Sequence, residues 1–466
     1  MKILLTVHQF VPEWSAGTEV LTFSTAKELI RRGHDVTVLT GFPVGENPPD
    51  DQRIDYYEIE GVPVYRYSHA MVPTKEQPVI TRLEYKNHLA ERLFDDLLKQ
   101  LKPDVVHFFH FARLGSGIID VALRHGVLAY YTSTDFWTIC PTSQMLLPDF
   151  SMCTGPSCLA GNCIKHIFMS ANHDTDRGNQ SLLAKVPPMF ADMIPVIVKI
   201  KHIIHHLVHG WISFILSTEP KPLDLEILAL AKRHKVNVAA VNQLKRIFVP
   251  TQLVSSMLVA NGVNKDVLRF TPYGIDVTGY DDVPLRTGTA KTIGFIGTLS
   301  EAKGCRVLVE AFKQLNHPDL RLKIYGNLEH YPNYTADLIA LADNHPAIEF
   351  CGTFPNHEIV NVLSELDVLI VPSIWYENTP LVVYSALAAH CPVVASNLGG
   401  LSEAVRHQEN GLLFTAGNSN ELAETLRLLA STPDLLPRLS ANCKPPKSTA
   451  QYVDELEAVY QQDLTQ

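Results

Sequence analysis

Glu377 lies in the stretch Pro372-Ser373-Ile374-Trp375-Tyr376-Glu377-Asn378-Thr379-Pro380-Leu381, just after an apolar run from Asp367 to Val371. The run reads as a buried strand, and a helix is expected to start near Leu381. A carboxylate in that turn can accept hydrogen bonds from hydroxyls. The neighbouring helix N-terminus favours an anion at the carboxyl end of the sheet. Hydroxyls beside an anion describe a sugar phosphate. A second cationic element is Gly297-Thr298-Leu299-Ser300-Glu301-Ala302-Lys303-Gly304. Here glycine lets the backbone approach a phosphate and Lys303 can neutralise an oxygen of it. The order is neither that of a Walker loop nor G-x-G-x-x-G. Alone, such a loop does no more than turn the chain and keep it soluble.

Four of the eight cysteines crowd together as Cys140-x12-Cys153-x4-Cys158-x4-Cys163. Four thiolates in a Gly/Pro-rich segment could hold structural zinc or an iron–sulfur cluster, although no C-x2-C is present. Free buried thiols and, less readily in a reducing compartment, a disulfide are the other readings. Asp135, in Thr132-Ser133-Thr134-Asp135-Phe136-Trp137, either orients a hydroxyl or caps a helix.

The positioning elements follow from alternating strands and helices. Ile3–Val7, Val36–Thr40, Val62–Tyr67, Val105–Phe109 and Val127–Thr132 read as strands, with helices over 18–32 and 82–101. The pattern restarts with strands at 291–296, Arg321–Tyr325, Ala347–Cys351, Val368–Val371 and Val393–Ala395. Alternation of this kind predicts two parallel, doubly wound sheets. The Pro/Gly turn at Thr271-Pro272-Tyr273-Gly274-Ile275-Asp276 separates them. Domains are expected over 1–270 and 271–447, with an insertion at about 140–240 and a last helix over 448–463. Within the insertion, Ile200, Ile203, Ile204, Leu207, Val208, Trp211 and Ile215 recur on one helical face. His202, His205, His206 and His209 recur on the other. This reads as an amphipathic helix with a solvated polar face; with Lys199 and Lys201 it is also compatible with an anionic membrane surface.

At 466 residues, 46% hydrophobic and 19% charged, the composition is that of a globular protein with more than one core. A net charge of −10 argues against nucleic acid as a partner. The first apolar run is too short for a signal peptide, and no apolar stretch is long enough to span a bilayer. The expected location is the cytoplasm, with the inner face of the membrane as an option.

Several of these motifs, in order and with proper spacing, resemble glycosyltransferase family 4, a retaining family of the GT-B fold. The match runs through Tyr273-Gly274-Ile275-Asp276, Lys303-Gly304, Pro372-Ser373, Glu377, Pro392-Val393-Val394-Ala395, Gly399-Gly400 and Asn410-Gly411-Leu412-Leu413-Phe414. In the first half it includes Ser15-Ala16-Gly17-Thr18-Glu19, Arg32-Gly33-His34-Asp35-Val36-Thr37-Val38 and Lys102-Pro103-Asp104-Val105-Val106-His107. The resemblance implies two Rossmann-like domains facing across a cleft, with an α-helical insertion in the first. The second would bind a nucleotide diphosphate sugar and the first an acceptor.

Lys303 would then bind the diphosphate and Glu377 the donor sugar, with Asp135 the third catalytic candidate. Gly17, Thr298, Asn378, Thr379, Leu381 and Ser385 would complete the donor site. Three departures stand out: Ser385 replaces the second Glu of Glu-x7-Glu, Thr298 replaces an Arg, and Thr134 stands where a His is common. Asp174-Thr175-Asp176 matches the metal–diphosphate motif of the other large glycosyltransferase fold, but its place in the insertion reads as solvated carboxylates. No catalytic metal or cofactor is therefore expected. The implied activity is metal-independent hexosyl transfer to a glycan or lipid-linked acceptor, in cell-surface polysaccharide or glycolipid synthesis. The alternative is a non-catalytic copy that binds a nucleotide sugar or a partner glycosyltransferase.

Overall fold

The computed structural model describes residues 1–465, except 75–76, 148, 150, 171–185, 213–221 and 316. The chain divides into two compact units. One comprises Met1–Val249, Val254–Phe270 and Glu457–Gln466, the other Pro250–Leu253 and Thr271–Leu456. Both are Rossmann-like α/β units, and the first carries an α-helical insertion.

Among the described residues the first unit holds eight strands: β1 (Lys2–Val7), β2 (Asp35–Pro43), β3 (Ile54–Ile59), β4 (Val62–His69), β5 (Val105–Phe108), β6 (Leu128–Thr132), β7 (Arg246–Val249) and β8 (Leu268–Phe270). They lie in the order β3-β4-β2-β1-β5-β6-β7-β8. All pairs are parallel except β3–β4, a hairpin whose turn residues Glu60 and Gly61 both take positive φ, the geometry of a two-residue hairpin turn. The central strands are continuous apolar runs because helices cover both faces: Ile3, Leu4, Leu5, Val105 and Val106 are all buried. The helix expected over 82–101 is broken, into Ile80–Leu83 and His88–Leu101. Asn87 causes the break, its side chain capping the second piece by accepting from the Ala90 N–H at 3.1 Å.

The end of the last helix (Thr449–Leu464) belongs to this unit. The Tyr460 hydroxyl bonds His107 Nδ1, and Asp463 accepts from the Tyr130 hydroxyl at 2.9 Å. His107 Nε2 meets Thr132 at 2.8 Å, and full burial holds this imidazole down at about 3, so it stays neutral in the core.

The insertion contains helices Gly161–Ser170, Met193–Ile212 and Pro222–Val241 around a small core of Ile164, Ile194, Val198, Ile227 and Leu230. The packed face of the middle helix is thus Ile194 and Val198. Ile200 and Ile203, on the face expected to be apolar and packed, are 50% and 46% exposed. They continue a strip with Met193, Val196 and Ile197, all exposed. The periodicity located the helix, but its apolar residues are too numerous for one face to hold them. The histidine side chains at 202, 205, 206 and 209 and the Asp174–Asp176 pair lie outside what is described. Arg233, fully buried, ties the third helix to the first unit by bonding Glu84 and the Trp137 carbonyl (2.8 Å), with its guanidinium 4.6 Å from the Trp137 ring.

The second unit has six parallel strands among its described residues: β9 (Thr292–Ile296), β10 (Arg321–Tyr325), β11 (Ile348–Gly352), β12 (Val368–Val371), β13 (Val393–Ser396) and β14 (Gly411–Phe414). Their order is β11-β10-β9-β12-β13-β14. Because β9 has β10 on one side and β12 on the other, the chain leaves β9 and β12 in opposite directions. That switch point opens a crevice at their carboxyl ends. The first unit has its own switch point between β1 and β5.

Candidate functional site

Both sequence-singled loops of the second unit meet at its switch point. After β9 the chain makes a short 3-10 turn, Glu301–Lys303, then Gly304 at φ +69° opens the helix Cys305–Lys313. A Cβ on Gly304 would stand 1.9 Å from the Pro372 carbonyl oxygen, so only glycine lets this loop lie against the end of β12. The Ile374 N–H donates to the Ala302 carbonyl at 2.9 Å and joins the two loops. Together these contacts bring Lys303 Nζ to 2.6 Å from Glu377 Oε1. Ser373 Oγ (2.7 Å) and Trp375 Nε1 (2.8 Å) donate to the same oxygen, and the lysine sits 5.2 Å from the Trp375 ring centroid. Glu377 is 5% exposed, so this is a buried carboxylate whose charge three donors offset on one side. None of these three bonds falls on Oε2.

The other expected donor residues surround this pair unevenly. Thr298 is exposed in the β9 loop. Thr379 is buried and donates to the Asn378 carbonyl at 2.8 Å, and Leu381 opens the helix Leu381–Ala388. A Cβ on Gly400 would lie 1.9 Å from the Asn378 carbonyl oxygen, which keeps that turn close to the next helix. Ser385 is buried one helical turn inside, beside the buried Tyr280 side chain.

In the first unit, Gly17 is the first residue of the helix Gly17–Arg31, with open space around it. Two residues on, Glu19 is buried and its carboxyl is pushed up by that burial. His8 Nε2 lies 3.5 Å from Glu19 Oε1, and burial holds the His8 imidazole well below the usual histidine range. The His8 ring packs on that of His110, centroids 4.1 Å apart. His110 is the residue that sequence reasoning missed. Its Nδ1 accepts from the Ala112 N–H at 3.0 Å, which leaves the proton on Nε2 to donate to Asp135 Oδ2 at 2.8 Å. Asp135 Oδ1 accepts from the Trp137 N–H at 2.8 Å, while its side chain keeps 26% of its surface exposed. That is an Asx turn, and no helix begins there, so the capping alternative for Asp135 is set aside. A usable signal existed: His110 and Asp135 each follow a strand by two or three residues, and β5 and β6 are neighbours.

The zinc or iron–sulfur site entertained for the cysteines finds no support among the described residues. All eight are free thiols, and among the described residues no three His, Cys, Asp or Glu side chains are arranged to hold a metal. Cys140 is buried, and the Cys163 thiol is pushed up to about 12 by burial and by Cys140 and Cys153 beside it. Cys158 is exposed in a separate turn. There Asp192 organises the backbone, accepting from Ser157 Oγ (2.5 Å) and the Gly161 N–H (2.9 Å).

Two family models match the chain: "Glycosyl transferases group 1" over residues 280–444, and "Glycosyl transferase 4-like domain" over 16–149. The first span contains Lys303 and Glu377, the second Gly17, Glu19, His110 and Asp135. This chain has the GT-B fold and is related to the group 1 and family 4 glycosyltransferase domains. Among curated relatives of this GT-B chain, the D-inositol 3-phosphate glycosyltransferase of Corynebacterium jeikeium is 34% identical over 182 residues, covering 36% of this chain and 42% of that protein. The amylovoran biosynthesis glycosyltransferase AmsK of Erwinia amylovora is 22% identical over 442 residues, covering 92% and 91%. The chain spans about half the length of the first curated relatives it matches. Among solved GT-B structures, HepE of Anabaena in complex with UDP and glucose superposes with a TM-score of 0.60 at 14% identity, covering 99% of both chains. A glycosyltransferase from Rickettsia africae gives 0.59 at 17%, covering 99% and 98%. At these identities the likeness is one of fold.

Proposed function

We propose that this chain transfers a hexosyl group from a nucleoside diphosphate sugar to an acceptor hydroxyl, with retention at the anomeric carbon. The observation that carries the proposal is the Lys303–Glu377 pair, 2.6 Å apart at the β9/β12 switch point. Lys303 meets the diphosphate, supplying the positive charge that a divalent ion gives in metal-dependent transferases. Glu377 Oε2 accepts from a donor-sugar hydroxyl, and Thr298 hydrogen-bonds a phosphate oxygen. The main chain at Asn378–Thr379 and the helix starting at Leu381 add N–H groups to the anion site. Asp135, held by His110, accepts from the acceptor hydroxyl. The solved complex of HepE with UDP and glucose, on the same fold, supports this assignment of ligand class.

The acceptor proposed is a lipid-linked glycan at the inner face of the membrane, in cell-surface polysaccharide synthesis. AmsK, matched over nearly its whole length, is named for amylovoran biosynthesis. No helix among the described residues is long and apolar enough to cross a bilayer. The exposed strip Met193–Val196–Ile197–Ile200–Ile203, with Lys199 beside it, suits a leaflet surface instead. Co-sedimentation with vesicles containing anionic lipid is expected, and the double variant Ile197→Ser/Ile200→Ser should lose at least about tenfold in partition. Equal binding by both proteins would dismiss the membrane contact.

One observation favours the non-catalytic alternative: a buried serine, Ser385, stands where the family carries its second carboxylate. Calorimetric titration with UDP, GDP, ADP and their hexose conjugates, followed by donor turnover, separates the readings. Preferred binding of one nucleoside diphosphate together with turnover is the expected result. Binding without turnover on any acceptor would favour the non-catalytic copy, and no binding by folded protein would end the donor proposal.

A further inference from the structure

Lys303 and Glu377 are each other's counter-ion, so an anion that reaches the lysine must take it from the carboxylate. The carboxylate is buried, and its three donors converge on Oε1. Ser373, itself fully buried, and Trp375 stay bonded to that oxygen if the ammonium moves away. Glu377 then keeps two hydrogen bonds, its charge and its position. Ser373 and Trp375 are thus positioning residues that make the exchange of Lys303 between two anions feasible.

We infer that Glu377 is a built-in competitor for the positive charge of Lys303, and that this competition selects diphosphates over monophosphates. The inference rests on the proposal that Lys303 meets the donor's diphosphate. A monophosphate group exchanges one close anion for another beside a carboxylate that still repels it. A diphosphate brings a second phosphoryl group, which the N–H groups of Leu381 and Val382, at the start of the helix Leu381–Ala388, can hold while the first takes Lys303. The extra contacts offset the repulsion only for the longer anion. Glu377 therefore has two tasks at once: one oxygen rations the lysine, the other faces the sugar.

The test is calorimetric titration with inorganic pyrophosphate and with orthophosphate, probes that need no knowledge of base or sugar. Wild-type protein should bind pyrophosphate at least tenfold more tightly than orthophosphate. In Glu377→Gln, near in shape but uncharged, pyrophosphate should bind roughly tenfold more tightly than in wild type and orthophosphate should gain by more, narrowing the ratio. Lys303→Ala should bind neither. Glu377→Ala gives the same reading if the glutamine variant does not fold. Unchanged or weaker pyrophosphate binding in the Glu377 variants overturns the inference, as does an unaltered ratio between the two anions. Nucleotide-sugar binding by the wild type judges the donor proposal separately. The tightening without any nucleotide sugar bound would keep the inference and remove the donor. Nucleotide-sugar binding without the tightening would do the reverse.

Discussion

Lys303→Ala should lower kcat for sugar transfer by about 10²–10³-fold, the usual cost of removing one preorganised charge-stabilising donor. As the bond to the sugar breaks, negative charge gathers on the leaving diphosphate, and an ammonium that has already passed from Glu377 to the bound donor is in place to meet it. If the lysine acted only in ground-state binding, KM would rise with kcat unchanged. The expected pattern is a fall in both kcat and kcat/KM. Stability should suffer less than for a fully buried pair, because Lys303 is about a quarter exposed and Glu377 keeps Ser373 and Trp375. A loss of about 1–2 kcal/mol is reasonable. Steady-state kinetics below the melting range, with circular dichroism as the folding control, decides it. A change of less than tenfold in kcat/KM would remove Lys303 from the chemistry.

Arg286→Ala should destabilise the second unit by about 3–5 kcal/mol. This arginine is buried, and its guanidinium donates to three backbone carbonyls: Leu366 (2.8 Å), Leu363 (2.7 Å) and Pro284 (2.8 Å). Its own N–H donates to Ser440 Oγ at 2.9 Å. Leu363 and Leu366 lie where a short helix gives way to β12, the strand that leads to Glu377. Removing the side chain takes the guanidinium donor from the buried Leu366 and Leu363 carbonyls next to that strand, and the Leu363 carbonyl alone retains a backbone partner, the Leu366 N–H at 3.2 Å. Lysine cannot reach three carbonyls in one plane, so Arg286→Lys should recover less than half the loss. Urea melts followed by circular dichroism measure both variants. A midpoint within error of the wild type for the alanine variant would refute this account.

The contrast between the two predictions reflects what a sequence reveals. Lys303 and Glu377 were legible because their order along the chain, with glycine and proline between them, identifies strand ends. Arg286 was not, because two of its three carbonyl partners lie some eighty residues away, which no side-chain pattern encodes. The same holds for His110 and Asp135. Each is visible, but their bond exists only because β5 and β6 are adjacent. The central strands were readable as apolar runs. Strand β3 escaped because Asp55, Tyr56 and Glu58 face solvent, and β7 and β8 because three or four residues give no period. Ser385 was recognised as a departure, yet only the fold shows that it is buried beside Tyr280. For the cysteines the spacing suggested a ligand set that the described residues do not support, and the carboxylate of Asp192 shapes the turn around Cys158.

The close approach at Gly304 also bears on how this protein can vary. With a carbonyl of the neighbouring strand end 1.9 Å from where a Cβ would sit, position 304 cannot drift without parting the two loops that carry Lys303 and Glu377. Thr298, exposed in the same loop, meets no such limit. Variation in this loop is therefore expected to run freely at its outer residues, where partner preference can change, while its last glycine stays as the fixed point about which that change takes place.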